Sequence, residues 1–173
     1  ELAVVPRNKK IILVTAHRRE NFGAPLFEIC QALKEIAARY PDLEIVYPVH
    51  LNPNVQQVVR AELGAISNVT LLEPLDYLPL VQLMKASHLV LTDSGGLQEE
   101  TTALGISCLT LRDNTERPIT VTQGSNQIVG REPERIIAAA VEILRGEQTR
   151  QLRIPDLWDG RAAERIVDAL LKF

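Results

Sequence analysis

Short apolar runs, several of them β-branched, alternate with segments of helical spacing along nearly the whole chain, and this alternation constrains the fold more than any other feature. "KIILVTA" (Lys10–Ala16), "EIVYPV" (Glu44–Val49), "VTLLEP" (Val69–Pro74), "HLVLTD" (His88–Asp93) and "SCLTL" (Ser107–Leu111) read as strands. Between them, helical patterns cover Pro25–Tyr40, Pro53–Leu63, Tyr77–Ser87 and Gly96–Leu104. In the first helix Leu26, Ile29, Cys30, Leu33, Ile36 and Ala37 share one face at the 3.6-residue period. Asn52 is an expected N-cap with Pro53 in the first turn, and Pro41, Gly64 and Gly105 mark helix ends. Two further helices are expected over Pro133–Leu144 and Arg161–Leu171. Thr120–Val129 has no clear period, although "NQIV" within it suits a short sixth strand.

Strands separated by helices of this length form βαβ units and a parallel sheet. Strands that are apolar almost throughout suit a sheet covered on both faces. With 173 residues, no internal repeat and no linker, the chain is expected to form one Rossmann-like α/β domain with helices on both faces of a parallel sheet. The composition, 46% apolar and 24% charged, is that of a soluble globular protein. A net charge of −3 gives no general attraction to nucleic acid or to an anionic membrane. No apolar stretch approaches the roughly 18 residues of a membrane span. The start, "ELAVVPRNKK", lacks the order of a signal peptide, so a cytoplasmic protein is expected. It also lacks an initiator Met, which suits a fragment or processed piece of a longer chain. Cys30 and Cys108 fit neither a metal motif nor a disulfide framework and read as reduced core residues. His17, His50 and His88 are too scattered for a metal site.

Ligands of open parallel sheets bind beyond the carboxyl ends of the strands. The polar residues collect in those turns: "HRRENFG" after the first strand, "HLNPN" after the second, "DSGG" after the fourth and "RDNTERP" after the fifth. Each turn has two readings. Ser94, Gly95 and Gly96 are either a glycine turn before a capped helix, or a site where phosphate approaches bare backbone N–H groups. Glu99 and Glu100 favour the helix dipole in the first turns, or Glu100 turns toward the hydroxyls of a ribose while Glu99 faces elsewhere. Arg117, stiffened by Pro118, either pairs with Glu116 or Asp113 on the surface or faces a diphosphate. His17 and His50 end their strands as structural residues or as proton-transfer groups, His17 being the better placed for the latter. His88 lies at the opposite edge of the sheet. No Walker A, G-x-G-x-x-G or G-x-S-x-G sequence is present, which excludes the common P-loop, dinucleotide and serine-hydrolase classes.

"TAHRRENFG", "YPVHLNPNV", "LTDSGGLQEE" and "LRDNTERP", in this order, together with "WDGRAAERIV", resemble the C-terminal domain of the non-hydrolysing UDP-N-acetylglucosamine 2-epimerases, over about Lys10 to Leu171. The resemblance implies one of the two Rossmann-like domains of a GT-B architecture, with the active site between them. It implies interconversion of UDP-N-acetylglucosamine and UDP-N-acetylmannosamine by elimination and re-addition of UDP, with no cofactor and no metal. It assigns Ser94, Gly95 and Gly96 to phosphate, Glu100 to the ribose hydroxyls, Arg117 to the diphosphate–sugar end, and Leu75 and Leu80 to the uracil pocket. His17 matches the functional histidine, while Arg18 and His50 match positions that touch an activating second UDP-sugar in some members. The partners implied are a UDP-sugar, the N-terminal epimerase domain and, in the full-length protein, a second copy. Two departures stand out. The family's carboxylates for C2 proton transfer belong to the N-terminal domain, which these residues do not include. "TERPITVTQGSNQ" also differs from the commoner "TERPE", so the pocket wall after Arg117 is expected to differ. A glycine turn followed by a ribose-binding glutamate also suits the C-terminal domain of a GT-B glycosyltransferase, or a nucleotide-binding module without catalysis.

Overall fold

A computed structural model describes residues 2–6, 8–147 and 153–172. Its strands are β1 (Lys10–Thr15), β2 (Leu43–Pro48), β3 (Val69–Leu72), β4 (Leu89–Thr92), β5 (Cys108–Thr110) and β6 (Asn126–Ile128). Its α-helices are α1 (Ala24–Arg39), α2 (Pro53–Leu63), α3 (Tyr77–Ala86), α4 (Gly95–Leu104), α5 (Pro118–Thr122), α6 (Pro133–Leu144) and α7 (Ala162–Leu170). The strands form one sheet in the order β3-β2-β1-β4-β5-β6, and every pairing is parallel. This is the doubly wound Rossmann order. Ile12 of β1 sits opposite Ile45 of β2 on one side and Leu89 of β4 on the other.

Alternate residues of β1 feed two cores, as the two-residue period of a strand requires. Ile12, Val14 and Ala16 join α1, α2 and α6 in the larger one, with Leu26, Leu33, Val55, Val59 and Ile136 fully buried. Ile11 and Leu13 join Val46, Val90, Leu83 and Met84 in the smaller core under α3. Full burial of one such aliphatic side chain contributes roughly 1.5–3 kcal/mol, so both faces are held by their own apolar layer. Cys30 and Cys108 are free and buried, and burial pushes both thiols up to about 12.

Asn52 caps α2 as the sequence predicts, its Oδ1 accepting from the Asn54 N–H at 3.0 Å. Gly105 ends α4 at φ 67°, the left-handed conformation that glycine adopts without strain. Thr120–Val129 divides into the end of α5 and then β6, so the short strand predicted from "NQIV" is present and a five-residue helix precedes it. The sheet order reverses between β1 and β4: β2 and β3 lie to one side, β5 and β6 to the other. The turns leaving β1 and β4 therefore border the crevice in which a doubly wound sheet receives a ligand.

Candidate functional site

At the reversal point the Thr15 and Thr92 hydroxyls meet at 2.7 Å across β1 and β4, and Thr92 Oγ1 accepts from the Ser94 N–H at 3.0 Å. Asp93 follows, fully buried. Its Oδ2 accepts three hydrogen bonds, from the His17 N–H (2.8 Å), the Arg18 N–H (2.7 Å) and Asn21 Nδ2 (2.9 Å). The turn after β1 is thus folded onto the end of β4. Tyr47, buried in β2, donates to the Ala16 carbonyl at 2.6 Å and holds the same strand end from the other side.

Ser94 is the N-cap of α4 but makes no side-chain cap bond, and no acidic residue lies in the first turn. The capped-helix reading of "DSGG" therefore fails: the first N–H groups of α4 have no side-chain cap to satisfy them. A Cβ on Gly95 would lie 3.8 Å from Arg18 Nη2 and 3.9 Å from Glu116 Oε2, so the Arg18 guanidinium stands close over the glycine. Uncapped helix N–H groups, bare glycine backbone and a guanidinium together can receive an anion here, with the Glu116 carboxylate beside Gly95 paired with Arg112. Glu99 and Glu100 lie in the second turn, where the dipole does not account for them. Glu100 Oε2 is buried and, among the described residues, has no hydrogen-bond partner. Burial, and secondarily the charge of Glu99, raises its proton affinity. Glu99 does not simply face away: it forms an ion pair with Arg117, Oε1 to Nε 3.0 Å.

The His17 and His50 rings stack, centroids 4.8 Å apart and 13° from parallel. His50 Nδ1 accepts from the Asn52 N–H at 3.0 Å. Burial lowers the proton affinity of His17, with the Asp93 charge opposing it and His50 and Arg18 adding to it. His17 is thus favoured as the neutral imidazole that a proton acceptor requires. Leu75 and Leu80 are half-buried and pack on the smaller core together with Leu97 of α4. His88 is exposed at the start of β4, its N–H donating to Ile11, and takes no part.

The turn after β5 carries a buried arginine that sequence reasoning passed over. Arg112 donates from Nη1 and Nη2 to the two oxygens of Glu116 (2.8 and 2.9 Å) and from Nε to Glu20 (2.6 Å). The bond to Glu20 ties the β5 turn to the β1 turn, and the pair with Glu116, within the β5 turn, pulls the Glu116 carboxyl down to about 2. Arg117 does not form the surface pair with Glu116 or Asp113 that was one of its two readings. Arg112 occupies Glu116, and Arg131 occupies Asp113. The Arg117 backbone is fixed at both ends, its N–H donating to Thr115 Oγ1 (2.9 Å) and its carbonyl accepting from Thr120 Oγ1 (2.7 Å). Beneath it, the buried Gln98 accepts from Thr115 Oγ1 and from Asn126 Nδ2. Asp93, Asn21, Arg112 and Gln98 all stand within the motifs, but their roles depend on partners distant in sequence. Among the described residues no group of three or more His, Cys, Asp or Glu is placed to hold a metal ion, and no helix is long and apolar enough to cross a membrane.

The family model described as UDP-N-acetylglucosamine 2-epimerase matches residues 2–171. The chain belongs to this family. It is 49% identical over 166 residues to the UDP-N-acetylglucosamine 2-epimerase of Escherichia coli O157:H7, covering 94% of this chain and 44% of that protein. It is 46% identical to the Campylobacter jejuni enzyme of the same name, with 95% and 44% covered. Among solved structures, the UDP-GlcNAc 2-epimerase from Neisseria meningitidis bound to UDP-GlcNAc superposes with a TM-score of 0.89 at 42% identity, over 98% of this chain and 46% of that one. The S. aureus MnaA–UDP co-structure superposes at 0.87 and 40% identity, over 94% and 46%. The chain thus spans about half the length of the relatives it matches. Its likeness to the E. coli heptosyltransferase WaaC with ADP, at 17% identity and a TM-score of 0.59, extends to the fold alone.

Proposed function

We propose that this domain is the UDP-binding half of an enzyme that interconverts UDP-N-acetylglucosamine and UDP-N-acetylmannosamine. The single observation that carries the proposal is the anion cradle where β1 and β4 part: the uncapped start of α4 at Ser94–Gly96 with Arg18 over Gly95. Relatives with solved structures hold UDP-GlcNAc or UDP. Ser94, Gly95 and Gly96 receive phosphate. The unpartnered Glu100 oxygen accepts the ribose hydroxyls, and Arg117 leaves Glu99 for the diphosphate–sugar end. Leu75 and Leu80 border the uracil. In the reaction the C1–O bond to UDP breaks while C2 loses its proton, giving 2-acetamidoglucal. UDP then re-adds at C1 and a proton returns to C2 on the other face. His17, neutral and beside the cradle, is the catalytic residue of this half and acts at the diphosphate–sugar end. Arg18, at the edge of the cradle, and His50 also touch a second UDP-sugar that binds beside the first and activates the enzyme.

The carboxylates that move the C2 proton belong to the N-terminal half, supplied in cis or in trans. This half alone binds UDP and does not epimerise. The complete enzyme is a cytoplasmic homodimer that needs no cofactor. Calorimetric titration with UDP, with GDP and inorganic phosphate as controls, tests the site. Binding at about 10–500 μM, weakened roughly tenfold or more by Arg117→Ala and by Glu100→Ala, supports it. No binding at millimolar concentration, with the N-terminal half restored, overturns it. Product analysis on the restored enzyme tests the reaction: a sugar passed to an acceptor with C2 unchanged would identify a transferase instead.

A further inference from the structure

Asp93 is fully buried, and its Oδ1 has no hydrogen-bond partner among the described residues. A buried carboxylate is costly unless the protein compensates it. Here the compensation is one-sided. All three donors converge on Oδ2, and all three come from one turn, 72 to 76 residues earlier in the chain. Two of them are the consecutive backbone N–H groups of His17 and Arg18. The third, Asn21, is itself buried, and its Nδ2 also reaches the Leu111 carbonyl at 3.4 Å. One carboxylate oxygen therefore fixes both residues whose side chains border the cradle. The His17 ring stacks on His50, and the Arg18 guanidinium stands over Gly95. A second tether, Glu20 to Arg112, holds the same turn from the β5 side.

We infer that Asp93 is a positioning residue of this site: it fixes the backbone of the His17–Asn21 turn, and so sets where the His17 ring and the Arg18 guanidinium stand, without touching a ligand itself. The functional consequence rests on the proposed UDP site; the positional one does not. The ionisable groups around His17 are Asp93, His50 and Arg18, and Asp93 alone among them favours the protonated ring. Removing its charge therefore moves the His17 titration in a known direction.

Asp93→Asn keeps the shape and one acceptor oxygen but removes the charge. In the folded variant, hydrogen exchange at the His17 and Arg18 amides is expected to accelerate about tenfold, as a charge-assisted bond becomes an ordinary one. The His17 imidazole, followed by NMR, titrates at lower pH than in the parent. UDP binds about tenfold more weakly. Parent-like exchange at both amides with an unchanged His17 titration overturns the inference. Should Asp93→Asn not fold, the parent decides: protection of the His17 and Arg18 amides from hydrogen exchange to the level of the β1 and β4 ladder amides supports the role, and unprotected exchange at both amides overturns it. If the parent chain binds no UDP, the functional reading fails, while exchange and titration still decide the role of Asp93.

Discussion

Glu100 carries a carboxylate oxygen that folding buries and leaves without a partner, and such a group destabilises the unliganded chain. Its proton affinity is raised, first by burial and then by Glu99, so the folded state binds a proton more tightly than the unfolded one. Stability from this group is therefore greatest at low pH and declines as pH rises through its titration. Glu100→Gln removes the charge and keeps the shape. The expected outcome is a melting temperature at neutral pH equal to or above the parent's, with UDP affinity roughly tenfold lower. A variant that melts lower and binds UDP normally would show a structural residue instead. The turn at Ser94, Gly95 and Gly96 was legible because a glycine turn between an apolar strand and a helix announces itself locally. Asp93 and Arg112 were not. Each looks like a loop charge until the fold brings His17 and Arg18 to one and Glu20 to the other, 75 or more residues away in sequence. The Glu99–Arg117 pair was missed because it joins α4 to the turn after β5.

Strands and helices were readable wherever one apolar period ran long enough, as in β1 and α1, and their ends agree within a residue or two. α5 was not, because "PITVT" is mostly β-branched and has weak helical preference. It is held instead by local side-chain bonds: Thr120 Oγ1 to the Arg117 carbonyl, and Asn126 Nδ2 to Thr120 Oγ1 at 3.2 Å. The Asn52 cap of α2 is local, and Asn52→Ala is expected to cost about 1 kcal/mol in denaturant unfolding. The Arg112–Glu116 pair within the β5 turn depends on pH. Arg112 holds Glu116 down to about 2, below the ordinary 4.5, so the pair contributes stability above pH 4.5 and loses it as pH falls toward 2. Glu116→Gln should melt only about 1–2 °C below the parent at pH 6, since the exposed carboxylate is screened by solvent, and the gap should close between pH 4.5 and 2. A gap independent of pH would show that the charge of Glu116 is not what the pair contributes.

In the molecule as a whole, α7 is the element that the sheet does not explain. Its sequence, AAERIVDAL, is amphipathic, yet none of its residues is buried. Ile166, Val167 and Leu170 are each more than half exposed, and Leu171 just beyond them is 80% exposed. An apolar helix face of this kind marks an interaction site. The domain spans about half of each relative it matches, and the proposed enzyme needs an N-terminal half to complete its cleft. That half is the expected occupant of the α7 face. Ile166→Glu with Leu170→Glu should leave the melting temperature and UDP affinity of this domain close to the parent's, since neither residue is in a core or the cradle. The same pair should abolish association with a separately expressed N-terminal half from a close relative, read by analytical ultracentrifugation, and with it any epimerisation recovered by mixing. Association unaffected by both charges would place the interdomain contact elsewhere. Loss of UDP binding in this domain alone would show that α7 supports the site directly.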